Sequence, residues 1–159
     1  MGLSDWLLAL HVLSAFAWIA ALVVYTVVIV AGRRLTVPSD VVRLFWVSRA
    51  GDALIAVGMV GTIVFGVWLA IDLDAYHPWD GWIIAALILW FVAVEVGRRV
   101  GSIYDGTRER AKKLVREGND APSPELTAML RSQRGATLHG LLVLVTLVFL
   151  VVMIYKPGA

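Results

Sequence analysis

The stretch ALHVLSAFAWIA, residues 9–20, decides the fold class of this chain. It lies inside an apolar run from about residue 5 to residue 31. As a helix rising about 1.5 Å per residue, such a run is long enough to cross the roughly 30 Å hydrocarbon core of a bilayer. The run contains one histidine, His11, and a tryptophan seven residues later, Trp18. Because an ionisable group is costly at membrane depth, His11 is predicted to have a function.

Three further apolar runs follow, and we expect helices at about residues 53–71, 81–103 and 124–155. Hydrophobic residues make up 60% of the chain and charged residues only 16%, a balance typical of an integral membrane protein. The runs are too long for the strands of a barrel, and their apolar residues do not alternate with polar ones. The sequence therefore predicts an all-α fold, with residues 1–159 forming a single transmembrane domain built as a four-helix bundle.

The basic residues indicate an orientation in the membrane. Of the 14 Lys and Arg residues, all but Lys156 lie at residues 33–49, between the first and second apolar runs, or at residues 98–134, which cover the end of the third helix, the connection and the start of the fourth. The remaining connection, DLDAYHPWDG at residues 72–81, carries three aspartates and no cation. The positive-inside rule then places both chain termini outside, an N-out and C-out topology. We expect the protein in the bacterial cytoplasmic membrane.

The segment between the third and fourth apolar runs is predicted to form a cytoplasmic helical extension. TRERAKKLVRE, residues 107–117, continues the third helix with mixed charge. Ser123, Pro124 and Glu125 then supply an N-cap, a proline for the first turn and an acid where the helix dipole favours one. The segment contains no glycine-rich phosphate loop and no Ser/His/Asp arrangement, so we do not expect the chain to be an enzyme on its own.

The composition also restricts the chemistry and the partners. The chain has no cysteine, which excludes thiolate metal sites, disulfides and thiol nucleophiles. Its basic residues are explained by topology and by attraction to anionic lipid headgroups, so no nucleic acid partner is expected. The expected partner is the lipid bilayer, together with a second copy of the chain or a larger membrane complex.

Polar and small residues of the first, second and fourth apolar runs suggest a cofactor site toward the outer face. His11, Ser14 and Trp18 share one face of a helix, since they are separated by three and four residues. The candidate cofactor-binding residues are His11, Ser14, Trp18, Gly58 and Met153. A metal would use His11 and His77. Three interpretations of His11 remain open, namely a hydrogen-bonded interhelical contact, an axial ligand of haem b, and a copper ligand.

A second group of polar residues is expected near the inner face. It consists of Arg49, Asp52, Glu95, Arg98 and His139. Because the first span runs inward and the fourth runs outward, His11 and His139 are expected at different depths and do not bind one metal together. The inner group is interpreted either as an ion-paired anchor or as a path for protons or anions.

The sequence resembles a group of small bacterial four-helix membrane proteins. The likeness covers nearly the whole chain and is carried by LHVLSAFAWIAALVVY at residues 10–25, the basic third connection, and VVMIYKPG at residues 151–158. One branch of this group is an uncharacterised family of integral membrane proteins. Related branches are the copper-resistance D type and the HemJ-type protoporphyrinogen oxidases.

The resemblance to the HemJ type implies a role for His11 in haem binding. His11 and Trp18 match a histidine and a tryptophan of that type, and Lys156 with Pro157 matches its lysine-proline ending. After the tryptophan, however, the HemJ pattern continues with a proline, an arginine and a second histidine. This chain has VVYTVVIVAGRR at residues 23–34 instead. The comparison therefore favours the uncharacterised branch over porphyrinogen oxidation.

Three functional hypotheses follow from these observations. The first is a haem b-binding membrane protein with a redox or electron-transfer role. The second is a non-catalytic accessory subunit of a respiratory or transport complex, suggested by the lack of a large soluble domain. The third is a protein that handles copper or other ions, which would require His11, His77 and Met153 to converge at the outer face.

Overall fold

A computed structural model describes residues 2–73, 77 and 79–157 of the chain. These residues form five α-helices and no strand: α1 (Leu3–Gly32), α2 (Pro38–Asp72), α3 (Gly81–Arg116), α4 (Pro124–Leu130) and α5 (Gln133–Tyr155). The prediction of an all-α fold is confirmed for this part of the chain. Asp74 and Tyr76, which belong to the acidic connection between α2 and α3, lie outside the described residues.

Three helical segments are long and apolar enough to cross a membrane. They are α1, α2, and α4 with α5 taken together as Pro124–Tyr155. The predicted third span, now part of α3, is not among them. The apolar sequence of α3 is confined to its first half, and its second half carries most of the charges of the predicted extension. The described residues therefore support a helical membrane protein with three candidate spans.

The second helix begins at Pro38 and not near residue 53 as expected. Proline is well suited to the first turn of a helix, and Asp40 places a negative charge near the positive end of the helix dipole. Charged residues make this stretch resemble a loop. Its buried side chains, Val41, Phe45 and Ser48, nevertheless recur at helical spacing and face the core. The 35-residue helix is about 52 Å long, so it extends well beyond a bilayer core.

The last two predicted helices also have different bounds. Helix α3 continues beyond residue 103, where the membrane span was expected to end, to Arg116, as predicted for the extension at residues 107–117. The segment expected as one helix at 124–155 is divided into α4 and α5, because the Ser132 side chain caps a new helix by accepting a hydrogen bond from the Gly135 N–H at 3.2 Å. Ser123 caps α4 as predicted, accepting from the Leu126 N–H at 3.3 Å.

The long helices pack as two pairs, α1 along α2 and α3 along α5, with a looser contact between α2 and α3. The Trp18 side chain is fully buried between the pairs, and its ring lies 5.3 Å from that of Phe149. One continuous apolar core extends from this contact to Leu126 and Leu130 of α4. This core fixes how the four long helices and α4 are arranged, and thus which of their polar side chains come close together.

Helix α4 and the preceding segment close the basic end of the bundle. The Ser123 N–H donates to the Thr36 carbonyl at 3.0 Å, and the Arg110 guanidinium pairs with the Glu125 carboxylate at 2.6 Å. On the exposed surface of α3, the hydrogen bond from Lys112 lowers the pKa of the Glu109 carboxyl below its usual value. The predicted extension is thus a folded cap on the bundle.

Candidate functional site

An apolar cavity of about 420 Å³ lies at the end of the bundle where α1 begins and α5 ends. It is bordered by α1, the last turns of α2, the start of α3 and the last turns of α5. The side chains in its wall that carry chemistry are His11, Trp82, Met153 and Lys156. A smaller adjoining cavity of about 60 Å³ also contacts His11 and Met153. We refer to the larger space as the outer cavity.

A hydrogen bond to the backbone of α2 orients the His11 imidazole. The Nδ1–H donates to the Thr62 carbonyl oxygen at 3.0 Å, and because a carbonyl only accepts, the proton must be on Nδ1. The Nε2 atom therefore carries an unprotonated lone pair, and it has no hydrogen-bond partner among the described residues. A metal-binding histidine is commonly oriented in this way by a second-shell acceptor.

Gly66 provides the space for this imidazole. A Cβ atom at Gly66 would lie 2.8 Å from His11 Cε1 and 2.9 Å from His11 Nδ1, closer than real side chains approach. A larger residue at this position would thus push the ring away from α2 and weaken the hydrogen bond to Thr62. The glycine and the carbonyl together fix the ring at the cavity wall.

Met153 and Lys156 approach the same cavity from the end of α5. Met153 is partly buried against the core, and its thioether is a soft ligand of the kind found opposite histidine in some haem proteins. The Lys156 ammonium lies 5.5 Å from the centre of the Trp82 ring. A cation at the edge of an apolar space can pair with the carboxylates of an otherwise hydrophobic ligand.

Ser14, Trp18 and Gly58 are placed in a helix contact and do not line the outer cavity. A Cβ at Gly58 would overlap the Trp18 backbone nitrogen and would lie 2.9 Å from the Ser14 carbonyl oxygen. The Ser14 hydroxyl donates to the Leu10 carbonyl at 2.7 Å within α1. The small residues of α2 at this level thus accommodate a neighbouring helix backbone. Trp18 supports the cavity indirectly, because it packs on Phe149 in the wall.

His77 belongs to the connection outside the helices. It is exposed in the connection between α2 and α3, its backbone N–H donates to Asp80 at 3.0 Å, and its ring lies 5.2 Å from that of Trp79. It does not line the outer cavity. Within residues 2–73, 77 and 79–157, no three His, Asp or Glu side chains are close enough to hold a metal ion. The outer cavity thus brings Met153, but not His77, to His11.

A second cavity, of about 240 Å³, lies toward the basic end of the bundle. We refer to it as the inner cavity. Of the predicted inner group, it brings together Asp52, Arg98 and His139. Glu95 instead pairs with Arg98 at 3.0 Å and Arg99 at 2.7 Å along α3. Arg49 is exposed and lies beside Trp46 on the surface of α2.

Two tyrosines of the inner cavity, Tyr25 and Tyr104, were not predicted as members of the inner group. The Tyr25 hydroxyl donates a short hydrogen bond to the Asp52 carboxylate, and the ring of Tyr104 is buried against Gly135. The spacing of residues in α3 could have predicted Tyr104, because this tyrosine continues the buried face formed by Ala93, Val96 and Val100. Its polarity at a core position marks it as a candidate site residue.

The fold and the two cavities define the class of protein as a helical integral membrane protein with polar groups collected at two levels of the bundle. Residues 5–157 match the family described as predicted integral membrane protein (DUF2269), and the chain belongs to that family. No curated protein and no solved structure matches the chain. The expectation of a family of integral membrane proteins is confirmed by this match.

Proposed function

We propose that the protein binds haem b in the outer cavity, with His11 as an axial ligand, and has a redox or electron-transfer role. The observation that carries this proposal is the hydrogen bond from His11 Nδ1–H to the Thr62 carbonyl. It leaves Nε2 unprotonated, with a lone pair that can bind a metal, on a residue in the wall of a 420 Å³ apolar space. Neutral imidazole with an oriented second nitrogen is the form that binds iron.

The residues around the outer cavity fit this cofactor. The lining is predominantly apolar, as a porphyrin ring requires, and His11 supplies a nitrogen ligand. Met153, which lines the same cavity, would supply a sulfur ligand. When bound, haem with histidine and methionine ligands supplies reversible one-electron transfer at a raised potential. The chain's own residues would hold the ring and exclude water from it.

A relationship to the HemJ and copper-resistance D types would agree with this proposal. His11, Trp18, Lys156 and Pro157 are the positions that carry the likeness. Porphyrinogen oxidation is not proposed, because residues 23–34 lack the proline, arginine and histidine of the HemJ pattern. Copper handling is less well supported, since His77 does not share a cavity with His11.

We further propose four crossings of the bacterial cytoplasmic membrane with both termini outside. The first half of α3 supports a fourth crossing, because Ile84, Ile88 and Phe91 are large apolar side chains exposed on its surface. Such side chains are expected to face lipid. The cations of α2 and α3, together with Arg33, Arg34, Arg131 and Arg134, collect at the opposite end of the bundle from His11, which supports an inner position for that end.

This topology predicts which single cysteines react with an impermeant maleimide added to intact cells. The chain has no cysteine of its own, so there is no background. Asp72→Cys should be labelled from outside, and Lys112→Cys should be labelled only after the cells are opened. Labelling of Lys112→Cys in intact cells would reverse the proposed orientation.

The haem proposal is tested by the absorption spectrum of the wild-type protein. After expression with ample haem and purification in detergent, we expect a Soret band, an α band on reduction, and about one haem per chain. A preparation without bound haem, which also fails to bind added hemin, would reject the proposal. It would favour instead an accessory subunit that packs against a larger membrane complex or another copy of the chain.

The role of Met153 is tested by Met153→Leu, which keeps the apolar volume and removes the sulfur. We expect haem to remain bound through His11, with an altered α band and a lower reduction potential, because a methionine ligand raises the potential. Met129→Leu on α4 is the matched control and should leave the α band and the reduction potential unchanged. An unaltered spectrum and potential in Met153→Leu would exclude methionine as the second ligand.

A further inference from the structure

Two exposed tryptophans mark the part of α2 that fits the hydrocarbon core. Trp46 and Trp68 are 22 residues apart, about 33 Å along a helix that rises 1.5 Å per residue. The hydrocarbon core is about 30 Å thick, and tryptophan is enriched at both of its interfaces. Because this separation is close to a whole number of helical turns, both rings lie on one side of α2, where Val57, Val60 and Val64 are also exposed. Trp46 therefore lies at the headgroup level of the basic end.

Two exposed arginines flank Trp46 at this level. Arg43 comes three residues before Trp46 and Arg49 three residues after it, so each is about 4.5 Å from it along the helix axis. Arg49 is thus on the membrane side of the tryptophan. Side chains lean toward the N-terminus of their helix, which in α2 is the basic end, so the apolar stem of Arg49 leads its charge back toward the headgroups. Both arginines therefore present their charge close to the ring of Trp46.

The charges of Arg43 and Arg49 are not balanced by the chain itself. Neither guanidinium makes an ion pair or a side-chain hydrogen bond with any residue that the structure describes. The acids nearest in sequence, Asp40 and Asp52, are each three residues away from one of them, and Asp52 instead accepts a hydrogen bond from α1. The cations of α3 differ, because most of them pair with glutamates. The arginines of α2 are thus available to an anion from outside the chain.

A surface groove of about 260 Å³ lies at this position on α2. It is lined by Trp46, Val47, Arg49 and Ala50. Ala50 and Ala53 are small and exposed, and both lie on the membrane side of Trp46. They leave room for an acyl chain to run from the groove toward the exposed valines of the same helix. The groove thus joins a cationic end at the headgroups to an apolar end in the hydrocarbon core.

We propose that this groove is a binding site for an anionic phospholipid. The lipid phosphate pairs with Arg43 and Arg49, and an acyl chain lies along Ala50 and Ala53. Guanidinium groups bind phosphate through charge-assisted hydrogen bonds, and the ring of Trp46 packs against the glycerol region. A zwitterionic phospholipid carries an additional positive group, which two unpaired arginines disfavour. The site requires only that α2 crosses the membrane, and it is independent of the proposed haem site.

The proposal is tested by fluorescence quenching of the full chain in phosphatidylcholine vesicles. A small fraction of the lipid is replaced by phosphatidylglycerol with brominated acyl chains, or by equally brominated phosphatidylcholine. The chain has seven tryptophans, so the signal of Trp46 is obtained as the difference between the wild type and Trp46→Phe. We expect an affinity for phosphatidylglycerol about 25-fold higher at low salt, since each arginine near the headgroups contributes about fivefold. Equal quenching by the two lipids, or a preference that high salt does not weaken, would overturn the proposal.

Variants of the two arginines distinguish a lipid site from a structural role. Arg43→Gln and Arg49→Gln should each lower the preference for phosphatidylglycerol about fivefold, and the double variant should abolish it. The melting temperature should not change, because neither side chain has an ion-pair partner among the described residues. Arg116→Gln, at an exposed arginine on the last residue of α3, removes the same charge away from the groove and is the matched control. A preference that survives in the double variant, or that falls equally in Arg116→Gln, would overturn the site.

Free glycerol 1-phosphate distinguishes a lipid site from a simple phosphate site. It carries the phosphate without acyl chains, so it should leave the quenching of Trp46 by brominated phosphatidylglycerol unchanged. Complete displacement of the lipid by this compound would overturn the proposal. The variant His11→Ala should show the same lipid preference as the wild type, whether or not it binds haem. The lipid site and the haem site are thus tested separately.

Discussion

Replacing His11 with alanine is expected to reduce bound haem at least about tenfold. The Nε2 atom is the nitrogen ligand in the outer cavity, and even loss of a second-shell partner of a metal ligand costs roughly 10–100-fold in affinity. The measurement is the ratio of Soret absorbance to protein in the purified variant and in the wild type. Melting temperature is recorded in parallel, so that loss of cofactor is distinguished from loss of fold.

The matched control is His139→Ala, which removes the other histidine of the long helices. His139 lies 14 residues before Met153 on α5, roughly 21 Å along the axis at 1.5 Å per residue, and it lines the inner cavity and not the outer one. Its haem content should stay near that of the wild type. Equal loss of haem in the two variants, with both still folded, would contradict ligation at the outer cavity.

A rescue experiment makes the test of His11 stricter. The alanine variant leaves a space the size of an imidazole ring beside Gly66, open to the outer cavity. Free imidazole added with hemin should therefore restore the Soret band in His11→Ala and should change little in His139→Ala. A variant that binds hemin fully without imidazole would show that His11 is not a ligand.

The apolar runs were sufficient to predict an all-α fold and to bring two of the candidate residues to one place. His11 and Met153, which come from opposite ends of the chain, line one cavity because the first and last long helices run in opposite directions through the bundle. The length of each apolar run and the spacing of its residues predict where each helix lies and which of its residues share a face, since residues three or four apart lie on one side of a helix. The prediction that His11 and His139 belong to separate levels has the same origin.

Other features depend on how the helices are rotated against one another, which hydropathy does not show. The start of α2 was missed because Asp40, Arg43 and Arg49 give residues 38–52 a polar average, although one face of this stretch is buried. The pairing of His139 with Thr26, from helices at opposite ends of the chain, depends on the close approach of two specific turns. Glycines such as Gly58 predicted a flat surface but not its occupant, which the fold shows to be the backbone of α1.

A large loss of stability is expected when a single methyl group is added at Gly58. A Cβ there would overlap the Trp18 backbone nitrogen and lie 2.7 Å from the Trp18 Cα, and helix backbone cannot rotate aside as a side chain can. Gly58→Ala should therefore force α1 away from α2 and lower the free energy of unfolding by about 1–3 kcal/mol, the usual cost of overpacking. Since His11 donates across this same interface, haem affinity should fall as well.

A graded series of glycine variants tests this explanation by thermal unfolding in detergent. Gly61→Ala should cost less than Gly58→Ala, because its nearest contact would be the Ser14 hydroxyl, which can turn away, and its next the Ser14 Cβ at 2.9 Å, and not the backbone of α1. Gly140→Ala adds the same methyl group where no atom lies within 4 Å, so it should be neutral or stabilising, as alanine favours the helix by about 1 kcal/mol over glycine. Equal stability of the Gly58 and Gly140 variants would mean that α1 and α2 do not approach this closely, and the orientation of His11 by Thr62 would then lose its support.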